Sequence, residues 1–435
     1  MQKLDYFPFA NQVSKKWEVP LSEGSFLLIE APLDPLRTHH FAALLKGLKK
    51  RGINPILCSD LKDKQQWLEH PLIVGSLTRN EVFSPTTNSS FESLLPKDSY
   101  TGFFTSGSTG SPKLIIHSDN SLQLSAEESL SAMKLAKEEL ILSALPFFHL
   151  GGFLQLVRKY QQGFNVEFCD PAELYQKWSD QKPSAVIGVP TQMISGLERG
   201  CPPTLFYSGG AKFNENQWQK ALDQGYELMV TYGLTESAGA IMYQRKPNES
   251  FEYYPSARVQ ISSNKKLSFT SKRLAKACLR GPLLEVEIWP PLHLYETQDL
   301  ASIEEINQEG QNIRHLTIHG RSDRVVICAG ENIDPIEIVE VVTKNYSFNQ
   351  VFFRGFSHPK LGQIPVLFVE GLPVFKGNNQ EKDQKEWLES FKKHFSREKR
   401  PRLIIELPKY TGIKPSKEEL LHHYQNKEDF LYYDL

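Results

Sequence analysis

Between an apolar YTGFF and an apolar LIIH the chain reads Thr105-Ser-Gly-Ser-Thr-Gly-Ser-Pro-Lys113. Thr105, Ser106, Gly107, Ser108, Thr109 and Gly110 have almost nothing to bury. With Lys113 they offer backbone N–H groups, hydroxyls and one cation, the donors that a phosphate needs. A hairpin loop joining two strands has the same composition, so the run alone leaves both readings open. A Walker A loop is excluded by letter: Leu114 stands where the magnesium-holding hydroxyl belongs, and Pro112 precedes the lysine.

Five more stretches carry residues able to do chemistry. LPFFHLGG (145–152) sets His149 on a loop after a strand. YSGGAK (207–212) puts Gly209 and Gly210 where a flat ring could lie against backbone. TYGLTES (231–237) closes a strand with Tyr232, Gly233, Thr235 and Glu236, an aromatic, a glycine, a hydroxyl and a carboxylate. GRSDRVVICAGENIDPIEIVE (320–340) opens the last region with Arg321 and Asp323. LPKYTGIKPSKEEL (407–420) carries Lys414 on a glycine-containing loop before a helix. Taken singly, His149 reads as a structural histidine, Tyr232 as a core aromatic, Lys414 as a solvated charge and Arg321–Asp323 as a turn ion pair.

The elements that must position them follow a β-α rhythm. GSFLLIEA reads as a buried strand, PLRTHHFAALLKGLKKRG as a helix ended by Gly52, and NPILCS as a strand. SLQLSAEESLSAMKLA and GFLQLVRKYQQG read as helices; LILSALPF, NVEFC, SAVIGVP, TLFYSGGA and YELMVTYG read as strands. Ligands in such sheets gather at the carboxyl ends of strands, where the polar endings of these runs fall. Residues 250–319, with SARVQISS, KLSFTS and KACLRG, read as an antiparallel subdomain. Beyond Gly320 the β-α pattern resumes through RVVICAG, QVFFRGF, PVLFVEG and RLIIELP. The lysine-rich 376–400 reads as a solvated amphipathic helix with its loops.

Composition narrows the function classes. The 435 residues carry 50 basic and 51 acidic side chains, a net charge of −1. No basic footprint points to nucleic acid or an anionic membrane. Cysteines 58, 169, 201, 278 and 328 form no CxxC pair, which fits a reducing compartment. The opening MQKLDYFPFANQVSKKW has no signal-peptide core, and no run of about 18 apolar residues occurs. The expectation is a soluble cytoplasmic protein with no membrane span, its state left open between monomer and homo-oligomer.

In their order and spacing the six stretches resemble the core motifs of the adenylate-forming superfamily, the acyl-CoA synthetases with their adenylation-domain and luciferase relatives, over residues from about 100 to 420. The resemblance implies an α/β fold: a large N-terminal domain of mixed sheets with packed helices (1–319) and a small mobile C-terminal α+β domain (320–435). It implies that Thr105 to Lys113 covers the β- and γ-phosphates of ATP. Gly209, Gly210 and Ala211 would line the adenine and acyl pocket, Tyr232 would stack on adenine, and Gly233 belongs to the same segment. Thr235 would hold the α-phosphate and Glu236 a Mg²⁺. Asp299, in YETQDL, and Arg321 would bind the ribose, Asp323 would be the hinge, and Lys414 would meet charge gathering during adenylation. Three departures stand out: Gln298 replaces the glycine of the usual TGD, Ile327 stands where a lysine commonly follows the hinge, and the last loop reads GIK rather than GK.

The short build, LPFFHLGG, VPTQ (189–192), YSGGA, GLTES, GENIDP and the GIK loop are similar to the o-succinylbenzoate–CoA ligases of menaquinone synthesis. The resemblance implies a small-molecule carboxylic acid, ATP and coenzyme A as substrates. His149, Thr191, Gln192, Ser208 and Gly209 would bind the acid, with Arg199 and Lys212 the nearest basic residues in sequence. Another aryl or fatty acid–CoA ligase, or a stand-alone adenylation enzyme loading a carrier protein, shares nearly all of these motifs. A catalytically inactive nucleotide-binding interaction protein is a different class. Thr235, Glu236, Asp299, Arg321 and Lys414 standing together argue against it.

Overall fold

FLLIE (Phe26–Glu30) and NPILC (Asn54–Cys58) are apolar on both faces, and they become covered parallel strands in register from Phe26↔Asn54 to Glu30↔Cys58. The helix between them, Thr38–Lys50, buries Phe41, Leu44, Leu45 and Leu48, residues that recur on one helical face. It ends on Lys49 and Lys50, basic residues at the negative end of the helix dipole. In this computed structural model the described residues are 26–31, 38–50, 52–60, 64, 67–68, 73–77, 83–85, 95, 98–105, 113–210, 215–247, 249–280, 286–308, 311–322, 326–328, 331–333, 335–358, 362–373, 380–396, 399–408, 417–426 and 432–434.

The chain divides into two units, one of Met1–Gln260, Ser268–Tyr295 and Glu305–His315, the other of Ile261–Leu267, Glu296–Glu304 and Leu316–Leu435. The first unit holds an eight-stranded sheet, ordered Val286–Ile288, Ala277–Arg280, Lys113–Ser118, Tyr100–Thr105, Asn54–Cys58, Phe26–Glu30, Ile73–Leu77, Phe83–Pro85. It also holds a seven-stranded sheet, ordered Glu252–Tyr253, Gly239–Gln244, Glu227–Leu234, Leu205–Ser208, Ala185–Gly188, Ile141–Ser143, Val166–Phe168. Helices Asp119–Met133 and Leu150–Tyr160 link the cores of the two sheets. Leu122, Ala126, Phe153, Leu154 and Val157 pack with Leu27, Ile29 and Phe103 of the first sheet. Leu130 and Met133 pack with Ile141, Ile187 and Met229 of the second. On the outer face of the second sheet, Trp178, Met193, Leu197 and Trp218 cover Val186, Phe206 and Leu228.

The KACLRG strand departs from expectation. Ala277–Arg280 joins the eight-stranded sheet beside Lys113–Ser118, paired Ala277↔Ile116 through Arg280↔Lys113. An isolated apolar run does not carry its pairing partner in its letters. A four-stranded sheet, ordered Ala257–Ile261, Lys266–Ser271, Tyr295–Gln308, Gln311–Arg321, does form as expected in the 250–319 region.

In the second unit Gly362–Glu370 pairs antiparallel with Gln350–His358 and parallel with Leu403–Glu406. Helices Pro335–Asn345 and Gln380–Lys392 supply Ile338, Val342 and Phe391 to its core. Among the described residues no helix is long and apolar enough to cross a membrane.

Candidate active site

Four neighbouring strands of the seven-stranded sheet run parallel: Ile141–Ser143, Ala185–Gly188, Leu205–Ser208 and Glu227–Leu234. Each ends at one of the motifs. Ser143 leads into LPFFH and His149, Gly188 into Thr191 and Gln192, Ser208 into Gly209 and Gly210, and Leu234 into Thr235 and Glu236. Adjacent strands lie about 4.8 Å apart, so the sheet gathers these loops along one edge.

His149 stands at the N-terminal boundary of helix Leu150–Tyr160 in extended conformation and its side chain makes no capping bond. Its imidazole packs against Phe148, ring centres 4.4 Å apart. It is exposed at the surface, and partial desolvation lowers its pKa from the ordinary histidine value. Gly152 is required by close approach: a Cβ there would lie 2.1 Å from the Pro146 carbonyl oxygen. Thr191 is exposed in the first turn of helix Pro190–Glu198. Gln192 uses its Oε1 within that helix, accepting from Val189 N–H at 3.0 Å.

The Thr235–Ser237 turn is held on nearly every side. Tyr232 and Gly233 form its approach, where the pairing with Gly239–Gln244 shifts register. A Cβ on Gly233 would sit 2.1 Å from the Gly239 carbonyl oxygen, so this bulge admits no side chain. Buried Arg273 ion-pairs with Glu128 at 3.2 Å and donates to the Ala240 carbonyl at 2.6 Å. Tyr295 donates its hydroxyl to Glu236 Oε1 at 3.1 Å. Burial first, then the Glu236 charge, pushes the Tyr295 pKa well up.

Lys113 pairs with Thr105 where strands Tyr100–Thr105 and Lys113–Ser118 meet, and neighbours Arg280. Its charge and that of Glu236 both reach Cys278. Burial first pushes that thiol up, to about 11, with Arg280 and Lys113 lowering it and Glu236 and Glu287 raising it. Ser106, Gly107, Ser108, Thr109, Gly110, Ala211, Lys212, Asp323 and Lys414 lie outside the described residues. In the second unit, Asp299 and Arg321 come together with Oδ1 and Nη1 4.0 Å apart. Gln298, the departure from TGD, accepts from the Ser322 hydroxyl at 2.8 Å.

Among the described residues no group of three His, Cys, Asp or Glu is gathered that could hold a metal. One half-buried carboxylate, Glu236, fits a magnesium ion that takes its other oxygens from phosphates and water.

The basic side chains of this unit differ in exposure. Arg199 is exposed, its guanidinium 4.9 Å from the Tyr175 ring. Arg158, absent from the sequence reading, is 2% exposed. Its Nη2 donates to Ser129 Oγ at 2.7 Å and its guanidinium lies 5.7 Å from the Tyr207 ring. Nε and Nη1 have no partner among the described residues. Gln155 Oε1, one turn earlier, and Ser208 Oγ are likewise buried without partners. Orphaned buried polar atoms are rare in folded proteins and mark places where a ligand or water completes the bonding. The signal lay in FLQLVRKY: an arginine four residues after Leu154, on the core-facing stripe of an amphipathic helix.

The AMP-binding enzyme family matches residues 36–264. A 2-succinylbenzoate--CoA ligase of Haemophilus influenzae is 29% identical over 278 residues, 61% of this chain and 58% of that one. Chalcone synthase cfoA of Aspergillus candidus is 25% identical over 295 residues, 61% of this chain and 11% of that protein. The chain thus spans less than two thirds of the length of either relative. The Bacillus subtilis o-succinylbenzoate coenzyme A synthetase solved in complex with ATP and magnesium ion shares the fold. Its TM-score is 0.70 at 16% identity, covering 92% of this chain and 88% of that one.

Proposed function

The chain belongs to the AMP-binding enzyme family, and from that premise we propose that it is an ATP-dependent carboxylic acid–CoA ligase acting on o-succinylbenzoate through an acyl-adenylate. In the first step a carboxylate oxygen of the acid attacks the α-phosphorus of ATP, and the bond to pyrophosphate breaks. In the second, the sulfur of coenzyme A attacks the acyl carbon, the bond to AMP breaks, and the thiol proton leaves to solvent.

Each side chain has a task in this reading. Thr235 donates its hydroxyl to the α-phosphate, and Glu236 holds the magnesium ion, which supplies charge screening to the phosphates. The loop from Thr105 to Lys113 covers the β- and γ-phosphates. Tyr232 stacks on adenine beside Gly209, Gly210 and Ala211, while Asp299 and Arg321 hold the ribose. Lys414 meets the negative charge that builds during adenylation. Residues 320–435 turn about Asp323 to let the thiol in. His149 borders the acid and the thiol entry. Five buried, free cysteines support a cytoplasmic setting.

The observation that carries the choice of acid is Arg158. o-Succinylbenzoate has two carboxylates, one activated and one that must remain an anion in the pocket. Burying that anion unpaired is costly, and so is burying an unpaired guanidinium. The two costs cancel when each supplies the other's partner. The test is to incubate the protein with MgATP and a panel of carboxylic acids, omitting coenzyme A, and look for acyl-AMP by mass spectrometry. An o-succinylbenzoyl adenylate supports the reading; adenylates of simple monoacids alone count against it.

A further inference from the structure

The turn carrying Thr235 and Glu236 is anchored by two residues with no task in the reaction. His117 lies on the strand that leaves the phosphate loop, four residues after Lys113, and is fully buried. Its Nε2 donates to the main-chain carbonyl of Thr235 at 2.6 Å, across 118 residues of sequence. Its Nδ1 is buried with no partner among the described residues. A buried imidazole that leaves one nitrogen unsatisfied is a poor choice for packing alone, since an apolar side chain would fill the space without that penalty.

The second anchor is Tyr295. Its ring is fixed between Phe269 and Trp289, with ring centres 5.5 and 5.1 Å away. That places its hydroxyl on Glu236 Oε1. The rest of the turn is also tied down. Ala275 N–H donates to the Glu236 carbonyl at 2.9 Å, and Ser237 Oγ accepts from Leu234 N–H at 3.0 Å. Among the described residues, none takes the Thr235 hydroxyl or Glu236 Oε2. The two groups left over are those the α-phosphate and the magnesium ion require.

We propose that His117 and Tyr295 are positioning residues, a two-point clamp that fixes the Thr235 main chain and one Glu236 oxygen so that the other groups face MgATP. The proposal rests on the function assigned above. The clamp also ties the strand after the phosphate loop to the turn at the end of the neighbouring sheet, so the two phosphate-binding segments share one frame.

The test is calorimetric binding of ATP with and without Mg²⁺ to full-length wild type, Tyr295→Phe, His117→Leu and His117→Gln, alongside thermal unfolding. Tyr295→Phe removes one oxygen and leaves the ring seated. It should weaken MgATP binding about three- to tenfold, the range one hydrogen bond is worth, while metal-free ATP binding stays within twofold. His117→Leu should weaken ATP binding in both conditions, and His117→Gln, which restores a donor, should recover most of it. Wild-type affinities in Tyr295→Phe and His117→Leu would overturn the clamp alone. If His117→Leu fails to fold, Tyr295→Phe decides, and an unchanged MgATP affinity there overturns the clamp. Wild-type protein that binds no ATP would overturn the assigned function and the clamp with it.

Discussion

Replacing Arg158 by methionine separates stability from recognition. In the ligand-free protein the change removes the bond to Ser129 Oγ, worth about 1.5–3 kcal/mol for a charged donor. It also removes the contact with the Tyr207 ring, worth about 1–2 kcal/mol when desolvated. Against these losses stands the desolvation penalty of a fully buried guanidinium with two unpartnered nitrogens, of order several kcal/mol. The terms offset, so Arg158→Met should shift the unfolding temperature by less than about 5 °C, in either direction. The complex with a diacid behaves differently, because its free carboxylate is then left buried without a partner. That loss is about 2–5 kcal/mol, or roughly 30- to 4,000-fold in kcat/KM. Pyrophosphate release should therefore collapse with o-succinylbenzoate and change little with benzoate, whatever its starting rate. A drop of equal size for both acids, or a large fall in unfolding temperature, would show Arg158 to be a structural residue.

Three further outcomes follow from the same site. Glu236→Gln keeps size and removes charge, so the Mg²⁺ concentration for half-maximal pyrophosphate release should rise severalfold; an unchanged titration would remove the metal role. Lys414→Ala should slow acyl-AMP formation a few hundredfold, from about 3–4 kcal/mol of lost charge stabilisation, while thioester formation from supplied acyl-AMP persists; equal loss in both half-reactions would contradict it. His117 is depressed from 6.5 to about 4 by burial first, so its folded form binds fewer protons than the unfolded chain between those values. Its contribution is fully present above about pH 6.5 and is lost as pH falls toward 4, about 3 kcal/mol in all, and His117→Leu should flatten that limb in urea titrations at stepped pH.

Much of the fold was legible because its strands are short apolar runs closed by glycine, proline or hydroxyl residues, and because Thr38–Lys50 and Asp119–Met133 carry helical spacing. The pairing of those strands was less so: Ala277–Arg280 chose the eight-stranded sheet through distant partners, Ile116 and Ala277 being 161 positions apart. At the site, letters marked the residues that end strands, such as Ser208, Thr235 and Glu236. They did not mark those acting through burial. Arg158 and His117 are polar residues inside apolar stretches, and only the packed core shows that the first has unpartnered nitrogens and the second holds the Thr235 carbonyl. Gln192 gave the opposite lesson, since its side-chain oxygen caps its own helix.

The most direct measurement is kcat/KM for coenzyme A thioester formation with o-succinylbenzoate, benzoate and octanoate under the same MgATP and coenzyme A concentrations. Under the proposed role of Arg158, acids that leave its guanidinium unpaired are penalised, by factors that reach 10⁴ or more where polar groups are built for a partner. The expected result is o-succinylbenzoyl-CoA as the dominant product, with benzoate and octanoate at least about a hundredfold poorer. Comparable kcat/KM for benzoate or octanoate would contradict the assignment of the acid and leave membership of the AMP-binding enzyme family standing alone.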